Sequence, residues 1–292
     1  MSKEFERIVP SPLVFEKLAE GFQFIEGPIW FHNAGYLIFS DIYGDKMHKW
    51  SSKEGHTVFR DPSGKANGNA LDKQGRIVSC NHMARSVLRY ELNGSVTTLA
   101  SHFEGKSLNS PNDVVIKTDG NIYFTDPTSG IVSDKAGKIR PQELDFSGVF
   151  RVDPDGKELI LLTKEFTKPN GLAFSPDESL LYINDTKDKL IRVYDVRKDG
   201  TIFNGRLFAK LEGEQPGVPD GLKVDSEGNV YCSGPGPGIW VFNPSGDHLG
   251  TILPPEKAAN FAWGDDDWKT LYLCASTSLY RIRLGVKGIA IP

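Results

Sequence analysis

Short apolar runs cut by polar turns fill the chain, and one arrangement of them returns six times. Each copy opens on a polar residue, usually followed by Gly, and continues into an apolar strand, a polar turn and a second strand. The fourth copy shows the full grammar. Asn170-Gly171 precedes Leu172-Ala173-Phe174, the residues 175–178 form a turn, and 180–183, 190–194 and 206–209 read as three further strands. Asp199-Gly200 and Ser175-Pro176-Asp177 are turn chemistry in the right places. The other first strands begin near Ile29, Ala70, Val114, Leu222 and Phe261, and hairpin signals such as Asp119-Gly120 and Glu227-Gly228 separate them from the second strands. The opening residues Glu26, Asn67, Asn112, Asn170, Asp220 and Asn260 are roughly 40–58 residues apart, a period that marks propellers and solenoids.

Four antiparallel strands per copy make a propeller blade. The last copy stops after its third strand, while the run 13–18 precedes the first copy without a partner. Placing that N-terminal strand on the outside of the final blade closes the ring and removes two exposed edges. The pattern therefore predicts an all-β, six-bladed β-propeller of four-stranded antiparallel blades, one domain over residues 1–292. No segment carries helical periodicity over the ~10 residues a helix needs.

Composition agrees and narrows the function. Thirty Gly and eighteen Pro fall between strands, as tight turns require, and a net charge of -4 gives no footprint for nucleic acid or an anionic membrane. No apolar stretch approaches the ~20 residues of a membrane span, and residues 1–10 lack the apolar core of a secretory signal, so a cytoplasmic location is expected. The three cysteines, Cys80, Cys232 and Cys274, read as buried thiols and not as a disulfide framework.

Closure of the ring brings the six opening residues to one height around the channel. The turns after the second strands, with Asp41, His82, Asp126, Asp185 and Ser276, open on the same funnel. An Asn or Asp followed by Gly is also an ordinary turn, and for any single copy that reading stands. As a set, however, the six are two carboxylates and four carboxamides, all oxygen donors. Such a set suits a hard divalent cation: Ca²⁺ first, Mg²⁺ or Mn²⁺ less specifically, with Zn²⁺ and Fe²⁺ as further alternatives. Without thiolate or imidazole it is not a dedicated zinc cage.

The ordered motifs Glu26-Gly27-Pro28-Ile29-Trp30, Ser110-Pro111-Asn112-Asp113-Val114, Thr125-Asp126-Pro127, Lys168-Pro169-Asn170-Gly171-Leu172 and Val218-Pro219-Asp220-Gly221 resemble the gluconolactonase branch of the SMP-30/gluconolactonase/luciferin-regenerating-enzyme family, over nearly the whole chain. The resemblance implies a six-bladed propeller with a catalytic divalent metal held by Glu26, Asn170 and Asp220. It implies hydrolysis of a sugar lactone such as glucono-1,5-lactone to the acid, by a monomer or small homo-oligomer. Asp220 then serves as general base or as partner of a metal-bound hydroxide. Asn112 contacts water or substrate, and Asn67, His82 and Asp126 line the substrate pocket, with His82 a candidate proton shuttle. Animal members carry Arg two positions before the Asn112 equivalent. This chain has Ser110, so one contact to sugar hydroxyls differs.

Other readings use the same frame. They are a hydrolase of other lactones or organophosphates, a non-catalytic binding propeller, and a metal-free condensing enzyme resembling strictosidine synthase. The Glu/Asn/Asp set counts against the last. A Gly-x-Ser-x-Gly nucleophile elbow is absent from the sequence, and the prolines of Gly234-Pro235-Gly236-Pro237-Gly238 remove the N–H groups a phosphate cradle needs.

Overall fold

A computed structural model describes residues 3–290. Six four-stranded antiparallel sheets follow one another along the chain and form a six-bladed β-propeller. Their innermost strands are Ile25–Phe31, Ala66–Leu71, Val114–Ile116, Pro169–Phe174, Leu222–Val224 and Asn260–Gly264, one per blade in that order. The second strands, among them Tyr36–Asp41, Ile122–Asp126 and Leu180–Asp185, are almost wholly buried because both of their faces lie between neighbouring blades. Apolar clusters fill those gaps. Val78, Cys80 and Val87 of the second blade, for example, join Phe124 and Phe150 of the third. All three cysteines are buried free thiols.

The sixth blade is closed by the N-terminal strand as the pattern predicts, though the strand sits at Glu16–Glu20 and not at 13–18. It pairs with Ser278–Arg283, Glu16 opposite Arg281, whose guanidinium donates two hydrogen bonds to the Glu16 carboxylate at 2.7 and 3.1 Å. Leu13 and Phe15 pack on the core ahead of the strand.

One short element escapes the pattern: a helix, Lys3–Ile8, precedes that strand. Six residues are too few for helical periodicity, and an isolated helix of that length is unstable in water. It forms because Phe5 and Ile8 dock among Tyr231, Val241, Phe261 and Leu271 of the last two blades. Gly250 makes room, since a Cβ there would stand 2.8 Å from the Phe5 ring. Phe5→Ala is therefore expected to lower the unfolding free energy by about 3–5 kcal/mol, measured by denaturant unfolding. A change under about 1 kcal/mol would show that the helix is an ornament and not a clasp. Among the described residues no helix is long and apolar enough to cross a membrane.

The ring residues are held more tightly than the sequence implies. Four of the six lie inside their inner strand and not before it; only Asn112 and Asp220 precede theirs. The pairing slips just past Glu26, at Asn67 and at Asn170, because the inner strand bulges there. A bulge re-aims side chains, here at the channel mouth.

Candidate metal centre at the mouth of the channel

Each ring residue leans on the next blade. Gly171 N–H donates to the Asp220 carbonyl at 3.0 Å, and Gly68 N–H to that of Asn112 at 2.9 Å. A Cβ on Gly171 would stand 2.3 Å from the Asp220 carbonyl oxygen, and one on Gly221 2.3 Å from Asn260 Oδ1. Glycine after the polar residue thus lets neighbouring blades touch. The second strands add a tether. Ser40 Oγ donates to the Asn67 carbonyl, Thr125 Oγ1 to that of Asn170 and Asn184 Nδ2 to that of Asp220, at 2.8, 2.8 and 2.6 Å.

On this frame Glu26, Asn170, Asp220 and Asn260 come together. Glu26 is 3% exposed; its Oε2 accepts from Gly27 N–H and Asn260 Nδ2, both at 2.8 Å, while Oε1 is buried without a hydrogen bond. Burial first, then the charges of Asp220 and Asp113, hold its pKa well above the usual carboxylate range. Asp220 is pushed up to about 6, by burial first, with Lys257 and a hydrogen bond from Asn170 opposing and Asp113 adding. Asn170 Nδ2 also donates to Thr186 Oγ1 at 3.1 Å, and Thr186 donates to the Pro219 carbonyl at 2.8 Å. Of the six ring residues only Asp220 is partly open to the funnel; the other five are buried.

A buried carboxylate with an unpartnered oxygen, close enough to feel the charge of a second, carries a large desolvation cost unless a cation answers it. The donor set is hard oxygen throughout. Among the described residues no group of three or more His, Cys, Asp or Glu gathers that could hold a metal ion, and a cation here would need carboxamide oxygen beside Glu26 and Asp220.

The other sequence candidates fall into two groups. Asn67 and His82 meet, the Asn67 Nδ2 lying 3.3 Å from His82 Nε2, and His82 Nδ1 donates to the Ala136 carbonyl at 2.8 Å. That carbonyl places the proton on Nδ1 and leaves Nε2 as an acceptor for the Asn67 amide. Burial drives the His82 pKa down to about 4, so it is neutral at pH 7. Asn112 is buried, its N–H donating to the Thr125 carbonyl at 2.8 Å.

Asp126 sits behind the ring. Its Oδ2 accepts the Asn109 N–H at 2.7 Å, and burial lifts its pKa to about 7. Asp41 and Asp185 do the same in their blades. Asp41 takes the N–H groups of Gln23 and Phe24, and Asp185 those of Thr167 and Lys168. In blades one, three and four this carboxylate fixes the segment that delivers the ring residue.

Sequence reasoning passes over three features. The connection 127–147 folds back over the Asn67–His82 side. Ser110 Oγ donates to the Pro127 carbonyl at 2.5 Å and accepts Gly130 N–H at 2.8 Å, and Arg85 pairs with Glu143 at 3.1 Å. Ser110 is thus a clamp for this segment. The long gap between Asp126 and Gly148, in a chain of short turns, was the available signal. Asp113 and Lys223 are the others. Asp113 stands where the first, second, fourth and fifth copies have Gly, an anomaly visible in the repeat. A cavity of about 480 Å³ opens at the opposite end of the channel, walled by Ile29, Val115, Phe174, Trp263 and the stem of Lys223. Its lining reaches Pro28, Asn69 and Val114, each two residues along the inner strands from a ring residue.

Residues 24–277 match the family model described as the SMP-30/gluconolactonase/LRE-like region. Gluconolactonase from Zymomonas mobilis is 32% identical, with 98% of this chain and 86% of that protein covered. Regucalcin from Xenopus laevis is 30% identical over 94% of this chain and 95% of its own. Among solved structures, a gluconolactonase from Xanthomonas campestris superposes with a TM-score of 0.89 at 33% identity, covering 97% of this chain and 93% of that one.

Proposed function

Because the chain belongs to the SMP-30/gluconolactonase/LRE-like family, we propose that it is a divalent-metal-dependent lactonase that opens a sugar lactone, such as glucono-1,5-lactone, to its acid. The observation that carries the reading is the pairing of buried Glu26 with partly open Asp220 at the channel mouth, Asn260 bonded to the first and Asn170 to the second. The Glu26 Oε1 atom without a hydrogen bond and the all-oxygen donor set fit a hard cation, Ca²⁺ first, held by Glu26, Asn170 and Asp220.

Such a cation, when bound, supplies Lewis-acid polarisation of the lactone carbonyl and charge stabilisation for the tetrahedral oxyanion. The chain's own residues do the rest. Asp220 presents its open carboxylate oxygen to water and takes the proton as the water attacks the carbonyl carbon. A carboxylate oxygen bound to a cation is a poor base, so the second Asp220 oxygen is the one that must face the water. When the ring C–O bond breaks, Asp220 returns that proton to the leaving alkoxide. Asn112 orients the water or the lactone. His82, neutral and engaged at both ring nitrogens, turns the Asn67 amide toward the pocket and is not the proton carrier. Asp126 acts through the segment it holds, not through contact with substrate.

A pH-stat assay of lactones tests the reading. Sugar 1,5- and 1,4-lactones should be opened with a kcat/KM at least about ten-fold above that for an unsubstituted lactone, since hydroxyl contacts are worth ~1–3 kcal/mol. Acid release no faster than the spontaneous rate for every lactone, or preferential cleavage of an organophosphate ester, would overturn it.

A further inference from the structure

Lys223 stands on the channel wall with a single buried carboxylate, Asp113, answering its charge at 3.6 Å. Lys223 lies in the inner strand Leu222–Val224. Its neighbours Leu222 and Val224 are buried in the blade core, so strand alternation turns Lys223 into the channel. Two cations at the lower rim have closer partners: Arg76 with Asp72 at 2.6 Å, and Lys117 with Asp119 and Glu178 at 3.2 and 3.3 Å. Lys223 Nζ donates to the Leu222 carbonyl at 3.1 Å and lies 3.6 Å from Asp113 Oδ2. The lysine side chain is 26% exposed and that of Asp113 only 5%. Asp113 Oδ1 accepts Val114 N–H at 2.9 Å, and Oδ2 is buried without a hydrogen bond. Asp113 also bears on the ring, adding its charge to those felt by Glu26 and Asp220.

We propose that Lys223 is a resident cation of the channel, which cancels Asp113 from beneath so that the ring offers the net charge of Glu26 and Asp220 to a single divalent ion and sets how tightly that ion is held. The inference rests on reading the ring as a cation site. Its physical content is charge count. Cation affinity at oxygen sites follows the number of carboxylates facing the ion, and a fixed ammonium close by subtracts from it. A lysine on a rigid strand does this without recruiting a second ion. Neither residue contacts substrate in this account; both are positioning residues that act through the field at the ring.

The test is calcium titration calorimetry on chelator-stripped protein, with a thermal melt of each variant to establish folding. Lys223→Met should tighten Ca²⁺ binding about ten-fold, and Asp113→Asn should weaken it about ten-fold. The double variant should return to within roughly three-fold of the parent, since the two charges leave together. Lys223→Gln carries the same sign should the methionine variant not fold, and Asp113→Asn carries the test alone should neither fold. Affinities unchanged in all variants, or weakened by loss of Lys223, would overturn the proposal while leaving the metal reading intact. A parent protein that binds no divalent ion would overturn both.

Discussion

Asp220→Asn and Glu26→Gln are each expected to lower kcat/KM for the preferred sugar lactone by about 10³-fold or more, roughly 4 kcal/mol of transition-state stabilisation. Both changes keep the side-chain volume and remove one negative charge from a pair close enough for Glu26 to feel Asp220. Calorimetry should show Ca²⁺ binding lost in each. The fold should survive, because the carboxamide oxygen introduced by Glu26→Gln can still accept from Gly27 N–H and the Asn260 amide as Glu26 Oε2 does. Glu26→Gln should in fact raise the melting temperature of the metal-free protein, since a carboxylate with a buried, unpartnered oxygen is replaced by a neutral group. A variant that keeps more than about a tenth of the activity would remove its residue from the metal set.

The second large effect is the pH dependence of metal-induced stabilisation. In the metal-free protein Asp220 is pushed up to about 6 from 3.8, and Glu26 is held well above 4.5. These folded carboxyls keep protons that the unfolded chain has already released, so their ionisation costs stability as the pH rises from about 4 through 6 and beyond. A divalent cation requires both groups deprotonated and relieves that cost. At a fixed saturating Ca²⁺ concentration the rise in melting temperature should therefore be small at pH 5 and grow through pH 6–7.5, reaching roughly 5–10 °C. His48 and His82, both driven down to about 4 by burial, destabilise the protein below pH 6.5 with or without the ion, and so cancel in the difference. Differential scanning calorimetry of paired metal-free and Ca²⁺-loaded samples reads this directly. An increment that is flat with pH, or larger at pH 5, would contradict the assignment of Glu26 and Asp220.

Much of this was legible in the repeat. The period gave six blades, the unpaired run before Glu26 gave the closing strand, and the oxygen-bearing residues at one place in the repeat marked all six ring positions, from which the family resemblance, not the repeat, singled out Glu26, Asn170 and Asp220. What was not legible depends on contacts between distant segments. The helix Lys3–Ile8 exists because two apolar side chains find a core built by the last two blades. The bulges that carry Glu26, Asn67 and Asn170 into their strands arise from pairing, which local pattern does not encode. Asp126 looks like a funnel residue by position, yet its carboxylate is turned back onto the Asn109 N–H. The fold likewise gives Ser110 a loop-clamping role that its small size permits. Asp113 was within reach, as the one charged residue at a glycine position, but its partner Lys223 is 110 residues away on another blade.

The account turns on an ion at the channel mouth that is needed to open a lactone. Stripping the protein of metal, then adding Ca²⁺ stepwise while following acid release from glucono-1,5-lactone in a pH-stat, measures both at once. The prediction is near-background turnover in the stripped protein, activity that rises in proportion to bound Ca²⁺ and levels at one ion per chain, and full reversal by chelator. Undiminished turnover by protein shown to hold no divalent ion would contradict it.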